Sequence, residues 1–401
     1  MFLALLLIFN VLKLWSYGSE IAGYDFYEKW EVGRSLARAE PRDVYSVRTL
    51  GSHVSTPFLY SLAALLSTQH FMSDLLTYRV FCFVSSVFAI ICIGKLLGYS
   101  PAMTLAAAVV FTDLFEPLLS DVRVANVNQL QLGLLASFLL IKNGRRLPGH
   151  DFLSGLILGL AVMAKPNLLF VALMLTMYWL INRRFKVLVL ECAGLAAGAA
   201  TAVLTSRLVF GSYRCWFDWL AIMPKVSDYR YVVDQYNCSL AMLVRDWVGV
   251  KASAYLMGAF LVLATAFVWR SRRKPETVPT RANDDVNGGV LGEVLMVATG
   301  CLIYLLSATL VWLHYFVLTI PMALVVLSPP RMYSSGASVP IMKPILGAAA
   351  IFLIAERPVR MFLPITQPRH SALIICIGTL ALFYMALWEI RSLRRGTSAT
   401  H

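Results

Sequence analysis

At 401 residues, 59% of them hydrophobic and 14% charged, with a mean hydropathy of +0.70, the chain has too little charge for a soluble globular protein. It reads as a polytopic all-α membrane protein, so its formal charge of +13 marks cytoplasmic loops beside anionic lipid and excludes a nucleic-acid partner. The seven cysteines show no zinc-type spacing, and neither a metal nor a cofactor is expected.

The first apolar stretch, 1–17, has no basic n-region and no small-residue cleavage site. It reads as a retained first span instead of a signal peptide. The polar stretch 22–42, AGYDFYEKWEVGRSLARAEPR, then has the spacing of an amphipathic helix. Phe26, Trp30, Gly33 and Ala37 share one side, Glu28, Glu31, Arg34, Arg38 and Arg42 lie mostly elsewhere, and Asp25 stands near the start. Such a helix after a span is expected in the interface plane with its apolar face down. That would hold a carboxylate at the membrane surface.

Apolar runs long enough to span follow at 75–97, 101–119, 124–141, 187–210, 252–268, 290–311, 312–327, 339–355 and 371–390. A longer run, 152–181, is interrupted by Lys165-Pro166. It is too long for one straight span and suits two short ones, and proline disfavours helix in the residue before it. Basic groups at Lys142/Arg145/Arg146, Arg183/Arg184/Lys186, Arg270/Arg272/Arg273/Lys274 and Arg391/Arg394/Arg395 are expected on the cytoplasmic side. Against that count, Arg357, Arg360 and Arg369 fall outside.

With Asp25 outside and Lys142 inside, an odd number of crossings must separate them. The polar run 56–71 is then expected to lie in the outer leaflet without crossing. About twelve spans result, with both termini cytoplasmic. The whole chain, 1–401, reads as one integral membrane domain. It has outer loops at 18–74 (with amphipathic helices) and 211–250, and a cytoplasmic loop at 271–289.

Polar groups gather at the outer ends of different elements: Asp25, Asn126, Asn128, Gln129, Lys165, Asn237 and His314. Ionisable groups at membrane depth are costly, so each needs a partner or a role. Lys165 is either a lysine snorkelling to the interface or a cation for a lipid phosphate. His314 is either a satisfied buried histidine or a phosphate ligand or proton relay. Asn126, Asn128 and Gln129 either join helices or contact substrate. Trp30, Trp216 and Trp219 either belong to an interfacial belt or stack on a sugar. Cys215 and Cys238 share the 211–250 loop and are either two thiols or a disulfide, whose closure would contribute roughly 3 kcal/mol.

In order, DFYEKW, NVNQLQLGLL, AKPNLLF, YNCSL and WLHYFVLTIP resemble glycosyltransferase family 87, over roughly 22–321. The resemblance implies a GT-C-type helical bundle in the plasma or inner membrane, active on its extracytoplasmic face. It implies a polyprenyl-phosphate sugar donor, typically of mannose, and a lipid or glycan acceptor. The family's first-loop aspartate, its general base, matches Asp25. Its lysine-proline pair matches Lys165-Pro166, its asparagine-x-serine-leucine element Asn237, Ser239 and Leu240, and its tryptophan–histidine element Trp312 and His314. Two departures stand out: Ala125 where the family often has glycine, and Thr56-Pro57 where it often has two prolines.

Carried through, the resemblance implies an inverting single displacement. Asp25 takes the acceptor proton, Lys165 and His314 stabilise the departing phosphate, and Asn237 joins the donor site. A lipid monophosphate has no pyrophosphate for a divalent ion to bridge, so this scheme needs no metal. Two other classes compete: a lipid or sugar transporter, which shares the broken run and the buried charge, and a non-catalytic scaffold.

Overall fold

The computed structural model of the chain describes residues 23–38, 44–45, 55–144, 147–228, 237–272, 282–328, 342–362 and 367–393. The expected first span at 1–17 lies outside them. Regular structure among the described residues is helical, save for an isolated bridge between Asn237 and Trp312.

Among the described residues two short helices come first, α1 (Tyr24–Ala37) and α2 (Pro57–Leu66). They are followed by α3 (Phe71–Leu96), α4 (Pro101–Leu114), α5 (Glu116–Val124) and α6 (Asn128–Asn143). The broken apolar run forms α7 (His150–Ala164), a 3-10 turn (Pro166–Leu168) and α8 (Leu169–Ile181). Beyond it lie α9 (Phe185–Phe210), α10 (Arg214–Asp228), α11 (Leu240–Val248), α12 (Ser253–Ser271) and α13 (Ala282–Ser307). A second 3-10 stretch (Leu313–Thr319) leads into α14 (Ile320–Val326), and α15 (Met342–Ala355), α16 (Arg357–Phe362) and α17 (Pro368–Ser392) close the chain.

Five of these helices, α3, α9, α12, α13 and α17, are long and apolar enough to cross a membrane, and α4 with α5 would make a sixth. The other apolar elements have 10–17 residues, so length and composition alone support fewer crossings than the twelve expected. The α2 helix has ten residues, a length of about 15 Å that is half a hydrocarbon core. The apolar run 101–119 is bent by 62° between α4 and α5. Pro117 stands in the first turn of α5 and cannot donate to the carbonyl one turn back, which ends α4.

The bundle is built around α13, whose span 289–307 is 89% buried. The corresponding windows of α9 and α12 are 22% and 11% buried, and their outer faces carry Val189, Leu204, Tyr255 and Val262 exposed. Apolar side chains left outward on a polytopic chain belong to the lipid-facing surface. The helices α7 and α9 approach so closely that a Cβ on Gly155, Gly159, Gly194 or Gly198 would lie within 2.1–2.4 Å of a carbonyl oxygen of the other helix. Small residues permit such backbone contact between membrane helices, and it fixes the arm that ends at Lys165.

Candidate active site

The site forms at one end of the bundle, where the starts of α1 and α6, the α7–α8 break and the 3-10 stretch after α13 converge. Gly23 sets the position of α1. It has φ of +83°, and an added Cβ would meet Leu75 at 2.7 Å, so any other residue is doubly penalised. Its N–H donates to the Arg123 carbonyl at the end of α5 (2.9 Å). Arg79 of α3 holds the same turn through the carbonyls of Val122 and Arg123 (3.2 and 3.1 Å). These bonds place Asp25 against the α5–α6 connection.

Asp25 accepts a hydrogen bond from the Asn126 amide, and its Oδ2 lies 3.5 Å from His314 Nε2. Asn126 Oδ1 accepts from the Val127 N–H (2.6 Å) and from Lys165 Nζ (3.3 Å). Its amide nitrogen must therefore face Asp25 and His314 Nε2, the latter at 3.1 Å. In this arrangement Nε2 accepts and the proton of the neutral ring sits on Nδ1.

Lys165 Nζ also donates to Asn128 Oδ1 (2.8 Å) and lies 3.7 Å from the centre of the Tyr315 ring, a cation–π distance. Behind it, Asn128 Nδ2 donates to the wholly buried Asp121 (2.7 Å) and to the His314 carbonyl (3.3 Å). Gln131 and Asn167 exchange amide hydrogen bonds (2.6 and 3.2 Å), and Gln131 also reaches the Lys165 carbonyl. The helix break is thereby tied to α6.

Lys165, Asn126, Asn128 and His314 thus form a continuous polar chain ending at Asp25. The His314 side chain is 8% exposed and that of Asp25 36%. Lys165 is also partly exposed, and the carboxylate is open to an incoming molecule. Burial pushes its pKa up, but Lys29, His314, the Asn126 bond and Lys165 outweigh that and hold it below the ordinary 3.8. An ionised, partly exposed carboxylate with the Lys29 and Lys165 ammonium groups near it can take a proton from a hydroxyl while an anion gathers beside it.

Other expected site residues fall elsewhere. Asn237 donates to the Thr309 carbonyl (2.9 Å) and accepts from the N–H groups of Val311 (3.0 Å) and Ser239 (3.2 Å). It clamps the start of α11 to the segment after α13. Gln129 bonds through its main-chain N–H to Asp121 and through its side chain to the Leu118 carbonyl; it joins α5 to α6. Trp30 is buried with its Nε1–H on Asp74 (2.9 Å) and its ring edge-on to Phe71. The apolar face of α1 therefore packs on protein, not into lipid.

Trp216 and Trp219 meet edge to face at 5.8 Å, with Trp216 packed by Phe58, Ala164 and Ala202. Cys215 and Cys238 are separate free thiols. The first bonds the Ser212 carbonyl, and the second lies where the Cys376 thiol bonds its carbonyl.

Asp121, Tyr315, Gln131, Asn167 and Lys29 belong to the site without having been singled out from sequence. The signal for Asp121 was a carboxylate in the short polar link between the apolar runs 101–119 and 124–141. For Lys29 it was the helical spacing of four from Asp25.

The model of glycosyltransferase family 87 matches residues 56–299, more than half of the chain. The chain belongs to glycosyltransferase family 87. The match includes Asp121, Asn126, Asn128 and Lys165, while Asp25 and His314 stand on either side of it. No curated protein shows significant similarity to the sequence.

Both departures from the family pattern have structural reasons in this glycosyltransferase. Ala125 ends α5 at φ 54°, ψ 54°, a left-handed conformation that favours glycine. Its methyl is buried with Phe26, Trp30 and Leu75, a contact glycine would lack. Thr56 caps α2 by accepting from the Leu59 N–H (3.2 Å), and its hydroxyl donates to the Ala164 carbonyl beside Lys165 (3.0 Å). A proline could do neither.

Proposed function

We propose that this membrane glycosyltransferase moves a hexose from a polyprenyl-phosphate sugar to a hydroxyl of a lipid or glycan at the extracytoplasmic face. Mannose is the first donor to test, as the family resemblance implies. The observation that carries the reading is Asp25: half-exposed, oriented by the Asn126 amide, and next to His314 in front of Lys165.

The acceptor oxygen forms the new bond to the anomeric carbon as its proton passes to an Asp25 oxygen. The bond from that carbon to the phosphate oxygen breaks, and the electron pair leaves with the polyprenyl phosphate. A single displacement inverts the anomeric centre. Negative charge moves from Asp25 to the phosphate, and the Lys165 ammonium stabilises the phosphate as that charge arrives. Family membership favours this reading over a transporter.

The test uses purified protein, radiolabelled polyprenyl-phosphate mannose and a crude lipid extract as acceptor pool. Wild type is expected to place label in a new lipid or glycan. Asp25→Ala should bind donor yet turn over about 10²–10⁴-fold more slowly. Equal transfer by Asp25→Ala would remove Asp25 from the mechanism. Donor carried across proteoliposomes without product would instead support a transporter.

The pH profile gives a second check. The carboxylate must be ionised to accept a proton, and its pKa is depressed, so activity should persist as pH falls until below 3.8. An acid limb at about pH 6 would assign the base to another group.

A further inference from the structure

Lys29 stands one helical turn after Asp25 and therefore on the same face of α1. It is buried, 5% exposed, among Phe26 and Trp30 of that face. Its ammonium donates to the main-chain carbonyl of Asp25, and among the described residues it makes no ion pair. A buried ammonium with one acceptor among the described residues leaves two N–H donors uncommitted by them, which is costly without an anion. Lys165 differs: its ammonium is already seated on two amide oxygens and an aromatic face.

We propose that Lys29 is the phosphate ligand of the site. Its ammonium takes the phosphate of the lipid-linked donor and stays on it as the leaving group gains its second negative charge. The inference rests on the glycosyl-transfer reading above. Charge movement in that reaction supports it. Before transfer, the Lys29 charge acts on the ionised Asp25 carboxylate; once Asp25 holds the acceptor proton it is neutral, and the phosphate becomes the stronger anion. A cation on the same helix turn as the base can serve both stages, and Lys165, held between Asn126 and Asn128, acts from behind through its charge.

The experiment measures binding of polyprenyl phosphate, polyprenol and inorganic phosphate to the purified full chain in detergent. Wild type is compared with Lys29→Met and Lys29→Arg, each checked by thermal unfolding. Wild type should prefer polyprenyl phosphate to both other ligands. Lys29→Met should bind polyprenyl phosphate at least about tenfold more weakly, with polyprenol affinity unchanged, and Lys29→Arg should recover most of the loss. A merely structural lysine would lower the affinities for polyprenol and its phosphate alike.

If the phosphate preference survives in Lys29→Met, this inference falls and the glycosyl-transfer reading stands. If wild type does not prefer polyprenyl phosphate to polyprenol, both fall. Equal affinity for inorganic phosphate would make the ligand a soluble anion and overturn the assignment to a lipid donor.

Discussion

Two lysines at opposite ends of α6, Lys142 buried and Lys165 partly exposed, are held by different chemistry. Lys142, in the last turn of α6, donates directly to Asp151 (2.6 Å) and Glu191 (2.7 Å), with the Trp179 ring at 4.7 Å. Ser154 adds its own bond to the same Glu191 oxygen (2.7 Å). Lys165, some 20 Å away along the helix, touches amide oxygens instead, and the carboxylate behind it, Asp121, is reached only through Asn128. Contact with carboxylates cancels the field of Lys142 locally, while amide dipoles stabilise Lys165 and leave its net charge available to a ligand. Burial of a charge does not by itself mark a site; the identity of its partners does.

The largest expected effects come from removing each charge in turn. Lys142→Met leaves the buried Glu191 and the partly buried Asp151 without their cation and should cost about 3–5 kcal/mol of stability. Transfer per folded molecule should hardly change. Lys165→Met should do the reverse: about 10²–10³ in transfer rate, with a stability loss near 1 kcal/mol from the two amide bonds. Thermal unfolding in detergent and transfer rates, measured on both variants, read the contrast directly. A Lys142→Met protein that folds normally but transfers poorly would collapse the distinction between the two ends.

Asn237 sharpens the same contrast between structure and site. Its three main-chain hydrogen bonds predict that Asn237→Ala loses about 1–3 kcal/mol of stability with donor KM unchanged. A tenfold or greater rise in donor KM at wild-type stability would instead return Asn237 to the donor site that the family resemblance implies.

The helical class and most apolar elements were legible because hydrophobic run length maps directly onto helices. The break at Lys165-Pro166 was legible because proline acts locally. Asp25, Asn126, Asn128, Lys165 and His314 were legible as polar groups out of place, and the structure brings them together. The partners inside the site were not. Whether an asparagine such as Asn128 faces a lysine or Asn237 faces main chain depends on which distant segment lies opposite, and spacing carries no such information. The bend in the run 101–119 was not legible from its length and hydropathy, although Asp113, Glu116 and Pro117 mark the place. The burial of Trp30 was hidden for a similar reason: its partner Asp74 lies on α3, far along the chain.

Trp30 offers the smallest effect and the finest discrimination. Its indole N–H is one of several donors to Asp74, which also accepts from the Thr68 N–H (3.0 Å), the Thr68 hydroxyl (2.6 Å) and the Ser67 hydroxyl (3.1 Å). Its ring packs on Phe71 at 5.2 Å. Trp30→Phe keeps an aromatic ring there and removes one bond from a carboxylate that retains the others, so stability should fall by about 1 kcal/mol. A sugar platform would behave otherwise, because the smaller ring would weaken stacking on substrate and raise KM. KM unchanged for donor and acceptor alike would place Trp30 in the wall that holds α1 against α3. A rise in either KM without loss of stability would move it from that wall into the substrate path, beside Asp25.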